Sequence, residues 1–166
     1  MKKSTFCYLS LVFLFFSCSG TAHLPVPGEK NAVESNISVE YYSIASSYEE
    51  LKNYKKAIDY YNLAKKNKKM RASSEYKIAR CYALLKDWDN AQAGFEKILK
   101  KDPSNTNIKI SLAYIMAMRG DLEASSHLYS TLVSENLTDV SILKNYISVL
   151  CARGMFDEAN VQLAVL

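Results

Sequence analysis

Four stretches of this chain repeat at a constant spacing: NYKKAIDYYNLA from Asn53, DWDNAQAGFEKI from Asp87, DLEASSHLYSTL from Asp121 and MFDEANVQLAVL from Met155. Each begins 34 residues after the one before, with no insertion. A period of that length restricts the chain to an array of small supersecondary units, none of which buries its apolar face alone. Length and composition agree. A chain of 166 residues holds one domain or one short array. With 5 Gly and 3 Pro it is neither collagen-like nor the turn-rich chain of a β-sandwich.

Aligned on that period, the repeats show columns. The second half of each unit carries a small residue, Ala57, Ala91, Ser125 or Ala159. Four residues later comes Tyr61, Phe95, Tyr129 or Leu163, and then Ala64, Ile98, Leu132 or Leu166. The first half carries Ile44, Ile78, Leu112 or Tyr146, beside Ala45, Ala79, Ala113 or Ile147, and then Tyr48, Tyr82, Met116 or Leu150. Spacings of three and four place these side chains on one helical face. Small residues beside large ones let two helices approach and interdigitate. Asn53, Asp87 and Asp121 stand where the second helix begins and are suited to capping its free N–H groups, which Met155 is not. Gly120 and Gly154 suit the tight turns just before, and Asp102-Pro103-Ser104-Asn105 reads as a break between units. Trp88, in a column with Tyr54, Leu122 and Phe156, is predicted to anchor the core between units.

This pattern resembles the tetratricopeptide repeat, a pair of antiparallel helices with a period of 34 residues, and the resemblance covers Ser38 to Leu166. It implies an all-α, right-handed α-solenoid of about four helix-turn-helix repeats, near residues 38–71, 72–105, 106–139 and 140–166. Tyr41 matches the aromatic that opens the family motif, while Glu75 and Lys109 replace it in the middle repeats. In the family, one face of each first helix lines a concave groove. By register that face presents Tyr42, Ser46 and Glu49, then Tyr76, Arg80 and Ala83 with Lys77 beside them. The third and fourth repeats add Ile110, Tyr114 and Ala117, and Lys144, Ser148 and Cys151. The groove-binding residues implied are Tyr42, Tyr76, Lys77, Arg80, Tyr114 and Lys144. Tyrosines supply rigid area with a polar tip, and the cations suit carboxylates of a peptide. Chaperone-binding members hold a terminal carboxylate with Lys and Asn where this chain has Tyr42 and Ser46, so that activity is not implied.

The start of the chain has another character. Met1-Lys2-Lys3 is charged, and Phe6 to Phe16 is an uncharged apolar run too short to span a membrane. That is the pattern of a secretory signal peptide, assigned to residues 1–17. Phe15-Phe16-Ser17-Cys18 resembles a bacterial lipobox, which implies lipidation of Cys18 and a membrane anchor; cleavage after Ala22 is the alternative. Residues 18–37, with Pro25, Pro27 and Gly28 and no apolar period, are predicted to be the lipidated Cys and a flexible linker. Residues 38–166 are then the repeat array.

Little material remains for chemistry. Cys81 and Cys151 lie two repeats apart, beyond disulfide reach in a stacked array, and both are predicted to be packing residues. His23 and His127 have no ligand partners at metal spacing, and no Ser-His-Asp or paired-carboxylate arrangement is discernible. The expectation is a non-catalytic chain with no cofactor and no metal. A net charge of +4 is too small for a nucleic-acid surface. The run Lys65, Lys66, Lys68, Lys69, Arg71 and its echo Lys97, Lys100, Lys101 are both expected to end a second helix, where cations complement the helix dipole.

The function these features imply is a protein–protein interaction scaffold of the bacterial cell envelope. It would be exported, held to the bilayer through its N-terminal lipid and facing the periplasm or cell surface, with the outer membrane favoured in a Gram-negative source. Its partners would be other envelope proteins or peptide segments. The rivals are a subunit of an outer-membrane assembly or secretion machine and a regulatory partner of an envelope enzyme. Phe156, Leu163 and Leu166 would form an apolar end surface suited to a dimer or a partner subunit.

Overall fold

The computed structural model describes residues 29–135 and 139–166. The predicted signal segment, Cys18 and the first part of the predicted linker lie outside the described residues. Eight helices follow in order: α1 Glu29–Glu50, α2 Tyr54–Ala64, α3 Lys68–Leu84, α4 Trp88–Leu99, α5 Thr106–Arg119, α6 Leu122–Ser134, α7 Val140–Ala152 and α8 Phe156–Leu163. Among the described residues there is no strand.

Each helix packs on the next in sequence, and the odd helices also touch one another, α1 with α3 and α5 with α7. The even helices make no comparable contact with one another. The odd helices therefore crowd together on the inner, concave side of the stack. The core is continuous because each unit's second helix is covered by the next unit's first. Ala45, Ala57, Ile58 and Tyr61 close over Cys81. Ala79, Ala91 and Phe95 pack on Ile108, Leu112 and Ile115. Ala113, Tyr129 and Leu132 pack on Ile142, Tyr146 and Val149.

The turn chemistry follows the period. Asn53, Asp87 and Asp121 each accept a hydrogen bond from the backbone N–H three residues on, whereas Met155 makes no side-chain cap. Ser125, in the small column, is fully buried, and its hydroxyl donates to the Ala113 carbonyl oxygen at 2.8 Å.

Four expectations change. Helix α1 starts at Glu29, so residues 29–37 are helix rather than linker. No Pro or Gly follows Gly28 in this stretch, and Val33 and Ile37 stand half exposed. Ile44 is exposed, since its column packs against a preceding second helix and no described helix lies on that side of α1. Cys151 is exposed while Cys81 is buried, and both are free thiols. Cys151 shares its register with Glu49 and Ala117 on the odd-helix face rather than in the core. Finally, Lys68, Lys69 and Arg71 lie in the first turn of α3, behind the cap Asn67, and not at the end of α2. The dipole argument therefore does not apply to those three.

Candidate functional site

The face of the odd helices carries the residues predicted from register, and the helices bring them together in different ways. Tyr42 is half-buried, its ring edge-on to Tyr61 at 5.1 Å. Tyr76 is exposed and edge-on to Phe95 at 6.1 Å. Tyr42 and Tyr76 line one depression of about 640 Å³ that continues to Ile110 and Ser111. Tyr114, 46% exposed, lies over a separate depression between α5 and α7. Lys144 is exposed on α7 and has no ion pair among the described residues.

Lys77 and Arg80 differ from the sequence expectation in one respect: a carboxylate of the chain itself already meets them. Lys77 Nζ lies 3.1 Å from Glu49 Oε2, and Arg80 Nη1 lies 2.6 Å from Glu49 Oε1. The Tyr61 hydroxyl donates to Glu49 Oε2 at 2.8 Å and lies 3.1 Å from Ser46 Oγ. Burial works against the Glu49 carboxylate, but hydrogen bonds from Tyr61 and Lys77 and the charges of Lys77 and Arg80 outweigh it, and its pKa lies below the ordinary value. Tyr61 shifts the other way, raised by burial and by the neighbouring Glu49. The cluster ties the first repeat to the second and leaves Arg80 half exposed at the rim.

Two of the three lysines at the end of α4 are likewise paired. Lys97 and Lys101 meet Glu75 at 3.1 and 2.6 Å. One repeat later the same register reverses sign, with Lys109 Nζ 2.8 Å from Glu135 Oε1. The opening position of the motif thus keeps its task, tying the first helix to the end of the second, with an ion pair in place of aromatic contact. Tyr41 does it with a ring, 6.2 Å from Tyr60.

Sequence reading missed two features of the face. Glu49 appeared as one groove residue among many, with nothing to mark it as the hub of a network. Tyr129 appeared as core, and it is fully buried, yet its hydroxyl has no hydrogen-bond partner among the described residues. Among the described residues no group of three or more His, Cys, Asp or Glu is placed to hold a metal ion. No described helix is long and apolar enough to cross a membrane.

Residues 41–67 and 73–105 match the tetratricopeptide-repeat family. The chain is 26% identical over 148 residues to an uncharacterized lipoprotein of Treponema pallidum (strain Nichols), covering 89% of this chain and 71% of that protein. Among solved structures it is similar to MamA, with TM-score 0.67 and 12% identity over 84% of this chain and 75% of that one. It is also similar to YrrB, described as a TPR protein with an unusual peptide-binding site, with TM-score 0.64 and 21% identity over 82% of this chain and 71% of that one. Structural likeness at such identities establishes the fold alone. A stack of this kind is a scaffold for protein–protein interaction. The fold is an all-α tetratricopeptide-repeat solenoid, its repeat pattern matched over residues 41–67 and 73–105.

Proposed function

We propose that the protein is a lipid-anchored scaffold of the bacterial envelope that holds segments of other proteins against its odd-helix face and performs no catalysis of its own. The observation that carries this reading is the row of tyrosines on that face. Tyr76 and Tyr114 are exposed at 38% and 46% beside depressions, in a surface whose nearby carboxylates are already paired. Large rigid side chains with polar tips are the composition of a recognition surface. Lys144 and the exposed side of Arg80 add positive charge to the same face. The anchor rests on the Cys18 motif and on similarity to a protein named as a lipoprotein.

Two measurements test the reading. A photo-crosslinking residue placed at Tyr42, Tyr76 or Tyr114 in living cells is expected to give discrete protein adducts, and one at Asp59, exposed on α2, is not. Equal labelling from both faces rejects groove binding. Detergent partitioning of wild type against Cys18→Ser tests the anchor, which is rejected if both variants distribute alike.

A second reading, a subunit of a larger envelope assembly, draws support from the last helix. Phe156, Val161 and Leu163 are 61%, 63% and 56% exposed there. Co-purification with an outer-membrane barrel, lost on Phe156→Lys, distinguishes it.

A further inference from the structure

The run Lys65, Lys66, Lys68, Lys69, Arg71 carries no acidic residue on either side between Asp59 and Glu75. Lys66, Lys68, Lys69 and Arg71 are exposed. None of the five makes an ion pair among the described residues, whereas Lys77, Lys97, Lys101 and Lys109 each meet a glutamate. Stability does not account for the placement. Lys68 and Lys69 open α3, which has no acidic residue in its first turn, and cations there oppose the helix dipole. Helices α4, α6 and α8 follow the opposite rule, with Asp89, Glu123, and Asp157 and Glu158 in their first turns. The like charges of the run also repel one another. An anion from outside the chain relieves both penalties.

Helices alternate in direction, so the turns that join one repeat to the next share one edge of the stack. Charge along that edge changes from repeat to repeat. The turn between α2 and α3 is purely basic. At the next, Lys97 and Lys101 are held by Glu75, and Asp102 follows. At the third, Glu135 is held by Lys109, and Asp139 follows. The basic end of the edge is also the one nearest the start of the chain. A depression of about 310 Å³ runs from Ile37 of α1 to Lys66 and Asn67 of the turn. Ile37 is 41% exposed, and Val33, one turn before it, is 50% exposed. Cations beside exposed aliphatic side chains are the composition of a membrane-surface contact. Glu29 stands eleven residues after Cys18, a span of at most about 40 Å. A lipid on Cys18 therefore keeps this edge within reach of the headgroups.

We infer that the turn between α2 and α3, with Val33 and Ile37 beside it, docks on a bilayer surface rich in anionic phospholipid, its cations meeting the headgroup phosphates. Docking turns the first repeat toward the membrane and the last repeat away from it. This rests on the anchor proposed above and adds an orientation to it.

The whole protein, purified from cell membranes, is mixed with vesicles of phosphatidylcholine alone or of phosphatidylcholine and phosphatidylglycerol in equal parts. A fluorophore is placed on the exposed position 72 through Ala72→Cys in a Cys151→Ser background, or on the native, exposed Cys151. Quenching by a headgroup spin-labelled lipid is expected to rise about threefold at position 72 when phosphatidylglycerol is present, and not at Cys151. About 0.5 M salt reverses the rise. Lys68→Glu with Lys69→Glu is expected to abolish the rise while raising the urea midpoint, because acidic residues suit the start of α3. Protein that floats with both vesicles but shows no dependence on phosphatidylglycerol overturns the docking and leaves the anchor standing. Flotation with the anionic vesicles alone overturns the anchor and supports the docking; flotation with neither overturns both. A photo-crosslinker at position 72 that captures one protein in cells, with vesicle quenching unchanged by phosphatidylglycerol, assigns the cations to an acidic protein and overturns the inference.

Discussion

The residue just before each second-helix cap meets the same backbone demand in all four repeats. Gly120 and Gly154 have φ of 97° and 77°, and Lys52 and Lys86 have φ of 57° and 60°. The left-handed region costs a residue with a Cβ about 1 kcal/mol, which Gly avoids. Lys86→Gly is therefore expected to stabilise the protein by about 1 kcal/mol, read as a higher urea midpoint at unchanged m. The two glycines were legible in the sequence as turn residues. The two lysines were not, because a lysine carries no local sign of positive φ; only closure of the helix pair imposes it. Ser74 is a further case. It is fully buried with no hydrogen-bond partner for its hydroxyl among the described residues, in the column where later repeats place Ile108 and Ile142.

Between elements, the closest approach lies inside the second repeat. A Cβ built on Gly94 of α4 would stand 2.7 Å from the Ala79 Cβ of α3. Backbone and a short side chain meet there, so no flexible side chain can move aside. Gly94→Ala is expected to destabilise the protein by about 1–3 kcal/mol even though Ala is the better helix former, as thermal unfolding will show. Helix existence and pairing were legible because apolar columns recur with the period. Helix starts were less so. Val33 and Ile37 near the start of α1 are half exposed, and α3 begins among the lysines Lys68 and Lys69, where composition suggests an end rather than a beginning.

Across the whole molecule, units of one period are joined by side chains that differ from unit to unit. Glu49 links α1 to α3, and Glu75 and Glu135 link the first and second helices of their own repeats. The Glu49 and Glu75 carboxylates both have pKa values below the ordinary 4.5, burial opposing the shift and their lysine or arginine partners prevailing. A depressed folded-state pKa gives stability that is complete above the unfolded value and is lost as pH falls through the folded one. The protein is thus expected to keep its urea midpoint from pH 7 to about 5 and to lose it progressively below 4.5. Glu49→Gln should cost about 1–2 kcal/mol at pH 7, discounted for the half-exposed Arg80, and should flatten the acid limb. A limb of unchanged steepness in the variant would show that Glu49 does not carry it.

The period, the helix pairs and the columns of the core were determined by the sequence alone, because each depends on residues three, four or 34 positions apart, and such spacings are visible in one dimension. The same register put Tyr42, Tyr76 and Tyr114 on one face. Which groove cations are already neutralised was decided only in three dimensions. Lys77 and Arg80 meet Glu49 across 28 and 31 residues, distances that no repeat period marks.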